Sequence, residues 1–333
     1  MSGLRRKRSK ANYYMWVGGF SLMIAGIIGL VYFATARIDY VWQWYKLPNA
    51  FFYHAQEEIT ANIEGEVTGL ETGEKESLVT IRSGGDEETL TVPTKGLRVT
   101  RGDYLYPGDV VSIFGKWKPG IMLQGLWITL EVSLFSIVFG ILLGLIGGLA
   151  RISDNPALKW SAIVYVEVIR GTPLLVQIFI WYFVLGTMIN QLLFSFGLGE
   201  ISPLWYGVAS LACFTGAYIT EIVRSGIQSI HRGQTEAARS LGMSYAQSMR
   251  YVIMPQALKR ILPPLAGQFI SLIKDSSLLG IIAVRELTKA TREVITTTLS
   301  PFELFLSLAA LYMVLTFTLS MFIQYLEKRF QSS

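Results

Sequence analysis

Long apolar stretches alternate with polar connections along the chain, and six of these stretches are long enough to cross a bilayer as helices. A membrane-spanning helix needs about 20 predominantly apolar residues. The pattern therefore predicts a mainly α-helical, polytopic membrane protein with six transmembrane helices. The stretches that meet the length requirement cover approximately residues 14–36, 120–150, 162–183, 203–222, 262–284 and 304–326.

Small residues mark particular points in these predicted spans. Gly140, Gly144 and Gly148 are four residues apart and would share one helical face, where a neighbouring backbone can approach closely. Pro263 and Pro264 stand at the beginning of the fifth span, where their fixed backbone angles predict a rigid turn. We therefore expect a close helix contact along the second span and a hinge before the fifth.

The region of residues 37–118 differs in composition from the spans around it. Short runs of alternating apolar and polar residues cover 60–67, 77–82, 88–92 and 109–114. Turn-forming sequences separate these runs at 71–73, 83–86 and 106–109. Alternation punctuated by turns predicts a small, β-rich antiparallel domain, and a partly open barrel is one form it could take. Such a domain could brace the membrane region or dock a delivery protein.

Basic residues are concentrated where they would orient the spans. The cluster Arg5-Arg6-Lys7-Arg8-Ser9-Lys10 directly precedes the first span. The positive-inside rule places this cluster, Lys159 and the basic segment 232–260 in the cytoplasm. Six crossings then return the C-terminus to the cytoplasm as well, whereas the regions 37–118 and 186–202 fall outside.

The first span has two interpretations. Ala34-Thr35-Ala36 is similar to a processing site, but the apolar core is nearer 20 residues than the 7–15 of a signal peptide. We favour a retained anchor over a cleaved signal peptide. The chain then divides into a basic N-terminus with an anchor (1–36), an extracytoplasmic β-rich domain (37–118) and a core of five spans (119–333).

Composition agrees with a membrane protein and argues against several other classes. Only 16% of the 333 residues are charged, against about 25% in soluble domains. The net charge is +5, and some of the basic residues crowd beside apolar spans, which favours membrane orientation over nucleic-acid binding. Cys213 is the single cysteine, so no disulfide can form within the chain. His54 and His231 stand alone, and no metal site is expected.

A polar, basic and helix-forming segment separates the fourth and fifth predicted spans. Its Ala, Glu, Arg and Leu residues favour helix, while Gly242 and Ser244 supply a stop and a new cap. The segment resembles the EAA loop of ABC transporter permeases, with Val252 and Met254 replacing the family's Ile and Leu. The residues that this resemblance assigns to ATPase coupling are Gly233, Glu236, Ala237, Ala238, Gly242 and Pro255.

The resemblance extends over residues 120–330 and indicates the polar amino acid uptake branch of that family. Segments 165–177, 217–227 and 272–278 carry it. One departure is visible, because Ala266-Gly267-Gln268 stands where the branch usually has Gly-Asn-Gln. The identity of the ligand is therefore left open among polar amino acids and related small zwitterions.

The resemblance also implies an assembly. The chain would be the permease subunit of an ATP-driven importer in the bacterial inner membrane, in contact with lipid and with both termini in the cytoplasm. Separate ABC ATPase subunits would use ATP and magnesium, and this chain would bind no cofactor. A second permease, identical or related, and an extracytoplasmic substrate-binding protein would complete the transporter.

Charged and polar residues within or beside the spans are the candidates for a substrate pathway. A charge at the centre of a bilayer costs roughly 2.5–3.5 kcal/mol on insertion scales, so such residues face a cavity or a partner. They could bind the carboxylate and ammonium of a zwitterion, or only fasten helices together. We expect a structural salt bridge between Glu221 and Arg224. The pathway candidates are Glu167, Arg170, Thr172, Gln268, Lys274, Asp275 and Ser276.

The sequence contains no arrangement typical of an enzyme. Neither a Gly-x-Ser-x-Gly nor a His-Glu-x-x-His pattern occurs, and the Gly69–Lys75 stretch lacks the spacing of a phosphate-binding loop. A non-catalytic membrane subunit is therefore expected. Two alternatives stay open: a passive channel or secondary transporter, and a membrane sensor that uses the β-rich domain as its receptor.

Overall fold

The computed structural model describes residues 10–331, which are mainly helical. Contacts divide the chain into two compact units, Met1–Trp44 and Tyr45–Ser333. The predicted basic cluster falls almost entirely on residues 1–9, which lie outside the described residues. Six described helices are long and apolar enough to cross a membrane, as predicted: Tyr14–Arg37, Ile121–Ile152, Leu174–Ser195, Pro203–Gln228, Tyr245–Ile282 and Pro301–Tyr325.

The first unit contains helix α1 (Lys10–Arg37), and the second begins with the short helix α2 (Leu47–Phe51) and the β-rich region. The strands are β1 (Phe52–Thr60), β2 (Gly65–Thr72), β3 (Glu76–Ser83), β4 (Asp86–Pro93), β5 (Tyr104–Leu105) and β6 (Val110–Pro119). They form an antiparallel four-stranded sheet in the order β4-β3-β2-β5 and a two-stranded β1–β6 ribbon. Val67, Val79, Ile81 and Val111 are fully buried in its core.

The β-rich region confirms the antiparallel prediction and corrects its details. The expected strand 60–67 is wrong, because residues 61–64 leave the sheet between β1 and β2. The carboxylate of Glu88 accepts hydrogen bonds from the backbone of Asn62 and Ile63 there, which holds the chain in a turn. Strands β1 and β5 were not predicted. The strands form two hydrogen-bonded sheets.

The remaining helices follow the β-rich region without further strands among the described residues. Ile180–Gly186 and Met249–Ile253 are π-helical turns that join neighbouring helices, and Ser276–Ile282 is a 3₁₀ extension. The α-helices are α3 (Ile121–Ile152), α4 (Pro156–Gly171), α5 (Leu174–Phe179), α6 (Thr187–Ser195), α7 (Pro203–Gln228), α8 (Arg232–Ser240), α9 (Tyr245–Ser248), α10 (Met254–Asp275), α11 (Leu287–Thr298) and α12 (Pro301–Gln331).

The third span differs from its prediction of 162–183, because helix α4 ends before Pro173 and a separate span begins after it. Proline disfavours helical backbone in the preceding residue. The buried side-chain amide of Gln177 donates hydrogen bonds to the carbonyl oxygens of Ile169 at 2.7 Å and Thr172 at 3.1 Å, which satisfies groups freed by the break. The loop expected at 186–202 is shorter than predicted, since helix continues to Ser195.

The predicted turn at Pro263 and Pro264 is wrong as well. Both prolines lie inside α10, and the fifth candidate span already begins at Tyr245. Each proline removes one backbone donor from the helix. Packing of Ile261 and Leu265 in the core holds the helix across this point.

Helices α3 and α7 form a close contact through the predicted glycine face. A β-carbon at Gly144 would lie 2.4 Å from Cβ of Ile219, and one at Gly148 would lie 2.5 Å from Cγ1 of Val223. A β-carbon at Gly140 would lie 3.3 Å from Cβ of Thr215. Partners advance together along both helices, so α3 and α7 are parallel. The β-rich region before α3 and helix α8 after α7 therefore lie at opposite ends of this pair, about 48 Å apart along the axis of α3.

Helix α11 packs near the first turns of α3 and begins at a buried carboxylate. Glu286 is fully buried, and its oxygens accept hydrogen bonds from the backbone N–H groups of Thr288 at 2.7 Å and Lys289 at 2.8 Å. Tyr312 donates a third at 3.2 Å. Burial raises the pKa of the Glu286 carboxyl, although the hydrogen bonds it accepts act against that shift.

The Lys46 ammonium donates to the Thr298 carbonyl at 3.0 Å, which fastens the base of the β-rich region to α11.

The α3–α7 contact can be tested with one substitution at two positions. Gly144→Ala places a methyl group against Ile219 and should destabilise the chain by about 1–3 kcal/mol. Gly267→Ala, inside α10 with nothing within 4 Å of its added carbon, should be neutral or stabilise by up to about 1 kcal/mol. Unfolding of the purified chain in mixed micelles with increasing dodecyl sulfate measures both. Equal effects at the two positions would contradict the close contact.

Candidate functional site

The segment of residues 232–255, here named the coupling segment, has the predicted helix–turn–helix form. The imidazole Nδ1 of His231 accepts a hydrogen bond from Gly233 N at 3.1 Å and caps α8. Gly242 then turns the chain with φ +83°, a left-handed conformation that glycine adopts without strain. Ser244 and Gln247 form a reciprocal capping box that begins α9. The cap by His231 was missed by sequence reasoning, although its place directly before a helix-forming run was the available signal.

The two arms of the coupling segment are fastened to each other. Gln256 Nε2 donates to Gln234 Oε1 at 3.2 Å, joining the first turn of α10 to α8. Arg239 Nη1 donates to the carbonyl of Met243 at 2.9 Å across the turn. Pro255 lies just after the π-helical turn, whose wider hydrogen bonding suits a residue without a backbone donor. The segment is therefore a preformed, rigid projection.

One face of the coupling segment packs inward and the other is open to solvent. Ala238 is buried, whereas Glu236 and Ala237 are exposed. Leu241, at the turn, is 81% exposed, and Tyr245 beside it is also exposed. Tyrosine is enriched at protein–protein interfaces, so the exposed Leu241 and Tyr245 are the residues of this face that favour contact with a partner. Sequence reasoning missed Leu241, whose position beside the turn glycine was the only hint.

A charge network lies where α3, α4 and α7 end or begin near the coupling segment. Glu221 accepts from Arg224 Nε at 2.9 Å, which confirms the predicted salt bridge, and lies 3.4 Å from Arg151 Nε. Arg151 also approaches the exposed Glu167 at 4.0 Å. The guanidinium of Arg170 lies 5.2 Å from the centre of the Tyr218 ring. These contacts tie α7 to α3 and α4 directly before the chain enters α8.

Three pathway candidates belong to α4 and the break after it. Glu167 and Arg170 take part in the charge network through Arg151 and Tyr218 respectively. The Thr172 hydroxyl donates to the carbonyl of Val168 at 2.9 Å and accepts from Gln177 Nε2 at 2.9 Å. Their observed contacts all stabilise the helix break and the ends of the neighbouring helices.

The other four pathway candidates lie on α10 and its extension. Lys274 is exposed, Gln268 and Asp275 are half-buried, and the buried Ser276 hydroxyl donates to the Ile273 carbonyl at 2.7 Å. Within residues 10–331, no hydrogen bond or ion pair joins this group to the candidates on α4. That same part of the chain has no group of three His, Cys, Asp or Glu side chains that could hold a metal ion.

Comparison with known proteins gives a consistent result. The model of the family described as binding-protein-dependent transport system inner membrane component matches residues 136–332. The glutamine transport system permease protein GlnP of Escherichia coli is 38% identical over 63% of this chain and 92% of its own length. The L-cystine transport system permease protein TcyB of Bacillus subtilis is 37% identical over 63% and 86%.

Solved structures agree with the sequence relatives. A crystal structure of an amino acid ABC transporter with histidines is 40% identical, with a TM-score of 0.55, over 63% of this chain and 94% of that one. The inward-facing MetNI methionine ABC transporter, at 20% identity and a TM-score of 0.53, shares the fold. The β-rich region precedes the residues that the family model matches. The chain, a multi-pass inner membrane protein, belongs to the family of binding-protein-dependent transport system inner membrane components and is an ABC transporter permease.

Proposed function

We propose that this chain is the permease subunit of an ATP-driven importer of amino acids or related zwitterions. The observation that carries the proposal is the rigid coupling segment, whose exposed face projects from the end of α7. The glutamine and cystine permeases among its relatives support amino acids as the substrate class. Ala266 in place of the branch's usual residue keeps the individual ligand open.

The exposed face of the coupling segment would enter a cleft on an ABC ATPase subunit. Glu236 offers a carboxylate to a basic group, Ala237 permits close approach, and Leu241 supplies apolar contact. Ala238 packs inward and Gly242 permits the turn, while Gly233 and Pro255 shape the beginning and the end of the segment. Two ATPase subunits would bind and hydrolyse ATP with magnesium, while this chain binds neither. A second permease and a substrate-binding protein would complete the importer.

Movement of the segment would reach the spans through two direct connections. Helix α8 follows α7 after three residues, and the bond between Gln234 and Gln256 links it to α10. Closure of the ATPase subunits would push both spans as rigid bodies and switch the access of the pathway between the two sides. At the end of the core nearer the β-rich region, the substrate pathway would be lined by Gln268, Lys274, Asp275 and Ser276. At the coupling end, it would be lined by Glu167, Arg170 and Thr172.

The coupling segment would face the cytoplasm and the β-rich region the exterior. Basic residues cluster at the coupling end, in agreement with the positive-inside rule. The protein would then have both termini in the cytoplasm of a bacterium. Residues 1–36 would serve as a retained anchor, residues 37–118 as an extracytoplasmic domain and residues 119–333 as the transport core.

The β-rich region would act as a brace on the outer end of the core. Gly120, directly before α3, donates its backbone N–H to the carbonyl of Phe51, and Lys46 binds the end of α11. The root of the β1–β6 ribbon is thereby fixed to both α3 and α11. A brace of this kind stabilises the open end of the bundle and leaves uptake itself to the spans.

Glu236→Lys should reduce amino acid uptake at least about tenfold, because reversing a charge that pairs across an interface costs several kcal/mol. Uptake of radiolabelled glutamine by cells and co-purification of the co-expressed ATPase subunit measure the effect. The control Glu74→Lys makes the same change on an exposed turn between β2 and β3 and should leave both unchanged. Uptake that persists in Glu236→Lys would favour a passive channel or secondary transporter.

The bracing role can be tested by removing most of the β-rich region at a register pair. His54 lies opposite Trp117 in the ribbon, so a two-residue Asn-Gly turn can replace residues 55–116. The contacts of Lys46 and Gly120 remain in this variant. We expect uptake above half of the original rate and a lower thermal stability. Lost uptake with normal basal ATPase activity would instead indicate docking of a delivery protein.

A further inference from the structure

An open cavity of about 540 Å³ lies where the end of α3, the beginning of α4 and the end of α7 meet. Its size is within the range of roughly 300–1,000 Å³ that is usual for small-molecule sites. Asp154 and Gln228 stand at its rim toward the coupling segment, where they also line a neighbouring cavity beneath α8. The proposed coupling residues do not line it, so the transport mechanism leaves it unexplained.

Three basic residues and one acidic residue, Asp154, line the cavity. The basic residues are Arg151, Arg224 and Lys159. Both arginines share the carboxylate of Glu221. The second acidic neighbour of Arg151 is the exposed Glu167, whose Oε1 lies 4.0 Å from Arg151 Nη2, a long ion pair. Arg151 Nη1 is buried without a hydrogen-bond acceptor, and no ion pair of Lys159 is found among the described residues. Nη1 is closed off from the cavity, as is Glu221 Oε2 beside it, so the donor available to an anion there is Lys159, whose charge-assisted hydrogen bond would stabilise the anion.

Helix α4 contributes Pro156, Trp160 and Ile163 to the cavity as well as Lys159. Trp160 is 64% exposed, and Leu158 and Val164, which lie on α4 outside the cavity, are 52% and 58% exposed. In a membrane protein such a surface faces acyl chains, and tryptophan favours the headgroup level. The cavity therefore combines cationic groups with an adjoining lipid-facing wall. This combination fits an amphiphile better than a soluble anion.

We propose that this cavity binds the phosphate of an anionic phospholipid whose acyl chains lie along α4. The phosphate would accept a hydrogen bond from Lys159 and lie near the guanidinium groups of Arg151 and Arg224, as acidic headgroups do in basic pockets between membrane helices. The bound lipid would fasten α4 to the ends of α3 and α7. Its assignment to the cytoplasmic leaflet rests on the proposed orientation, whereas the binding itself does not.

Native mass spectrometry of the purified full chain, titrated with phosphatidylglycerol or phosphatidylcholine, tests the site. Lys159→Gln should weaken phosphatidylglycerol binding about fivefold, the effect of one basic residue near an anionic headgroup. Asp154→Asn removes an acid from the rim and should strengthen binding, a gain that misfolding cannot imitate. Lys259→Gln, an exposed lysine of α10 outside the cavity, is the matched control and should change nothing.

Three results would overturn the proposal. The first is equal binding of phosphatidylglycerol and phosphatidylcholine by the original chain. The second is an equal loss in Lys159→Gln and Lys259→Gln, which would indicate unspecific attraction to charge. The third is displacement of the lipid by inorganic phosphate at equal concentration, which would assign the cavity to a soluble anion. Loss of ATPase coupling affects none of these binding measurements, so the two proposals fail separately.

Discussion

The parallel contact between α3 and α7 is the constraint on which the rest of the membrane core depends. Lipid tails are as apolar as the side chains, so no hydrophobic driving force brings helices together within the bilayer. The helices associate through close packing instead. Gly144 and Gly148 permit that packing, because the side chains of Ile219 and Val223 occupy the space that a side chain at either glycine would fill. Because α3 and α7 run in the same direction, the chain must cross the membrane in the opposite direction after α3 and before α7. The Leu174–Ser195 span provides this crossing. The contact thereby sets the β-rich region and the coupling segment at opposite ends.

The same pair of helices gives the coupling segment a firm base. Near the end of α7, Glu221 and its two arginine partners join α7 to α3, and Gly226 packs against Ile261 of α10. Helix α8 begins almost immediately afterwards. Under the proposed function, a displacement of α8 would therefore be passed to α7, α10 or both. Rigid connections of this kind are what a rigid-body mechanism requires.

Features that depend on local sequence could be predicted, and features that depend on distant partners could not. The six spans follow from apolar length, and the turn at Gly242 follows from the conformational freedom of glycine. The break at Pro173 is stable because Gln177 reaches back to bind the freed carbonyls, whereas Pro263 lies in unbroken helix because its neighbours are packed. The local sequence indicates the break at Pro173, because Gly171 and Thr172 precede it, whereas the apolar residues before Pro263 favour helix. In the candidate site, the coupling segment was recognisable, but the contacts of Arg151 arise only from tertiary packing.

Substituted-cysteine labelling of intact cells is the most direct measurement of the arrangement. The single natural cysteine is first removed by Cys213→Ala, and Lys75→Cys or Ser240→Cys is then introduced at an exposed position of the β2–β3 turn or the coupling segment. A membrane-impermeant maleimide should label Lys75→Cys at once and Ser240→Cys only after permeabilisation. Labelling of both positions from the same side would contradict the account, because a cytoplasmic ATPase could not then move the spans through α8.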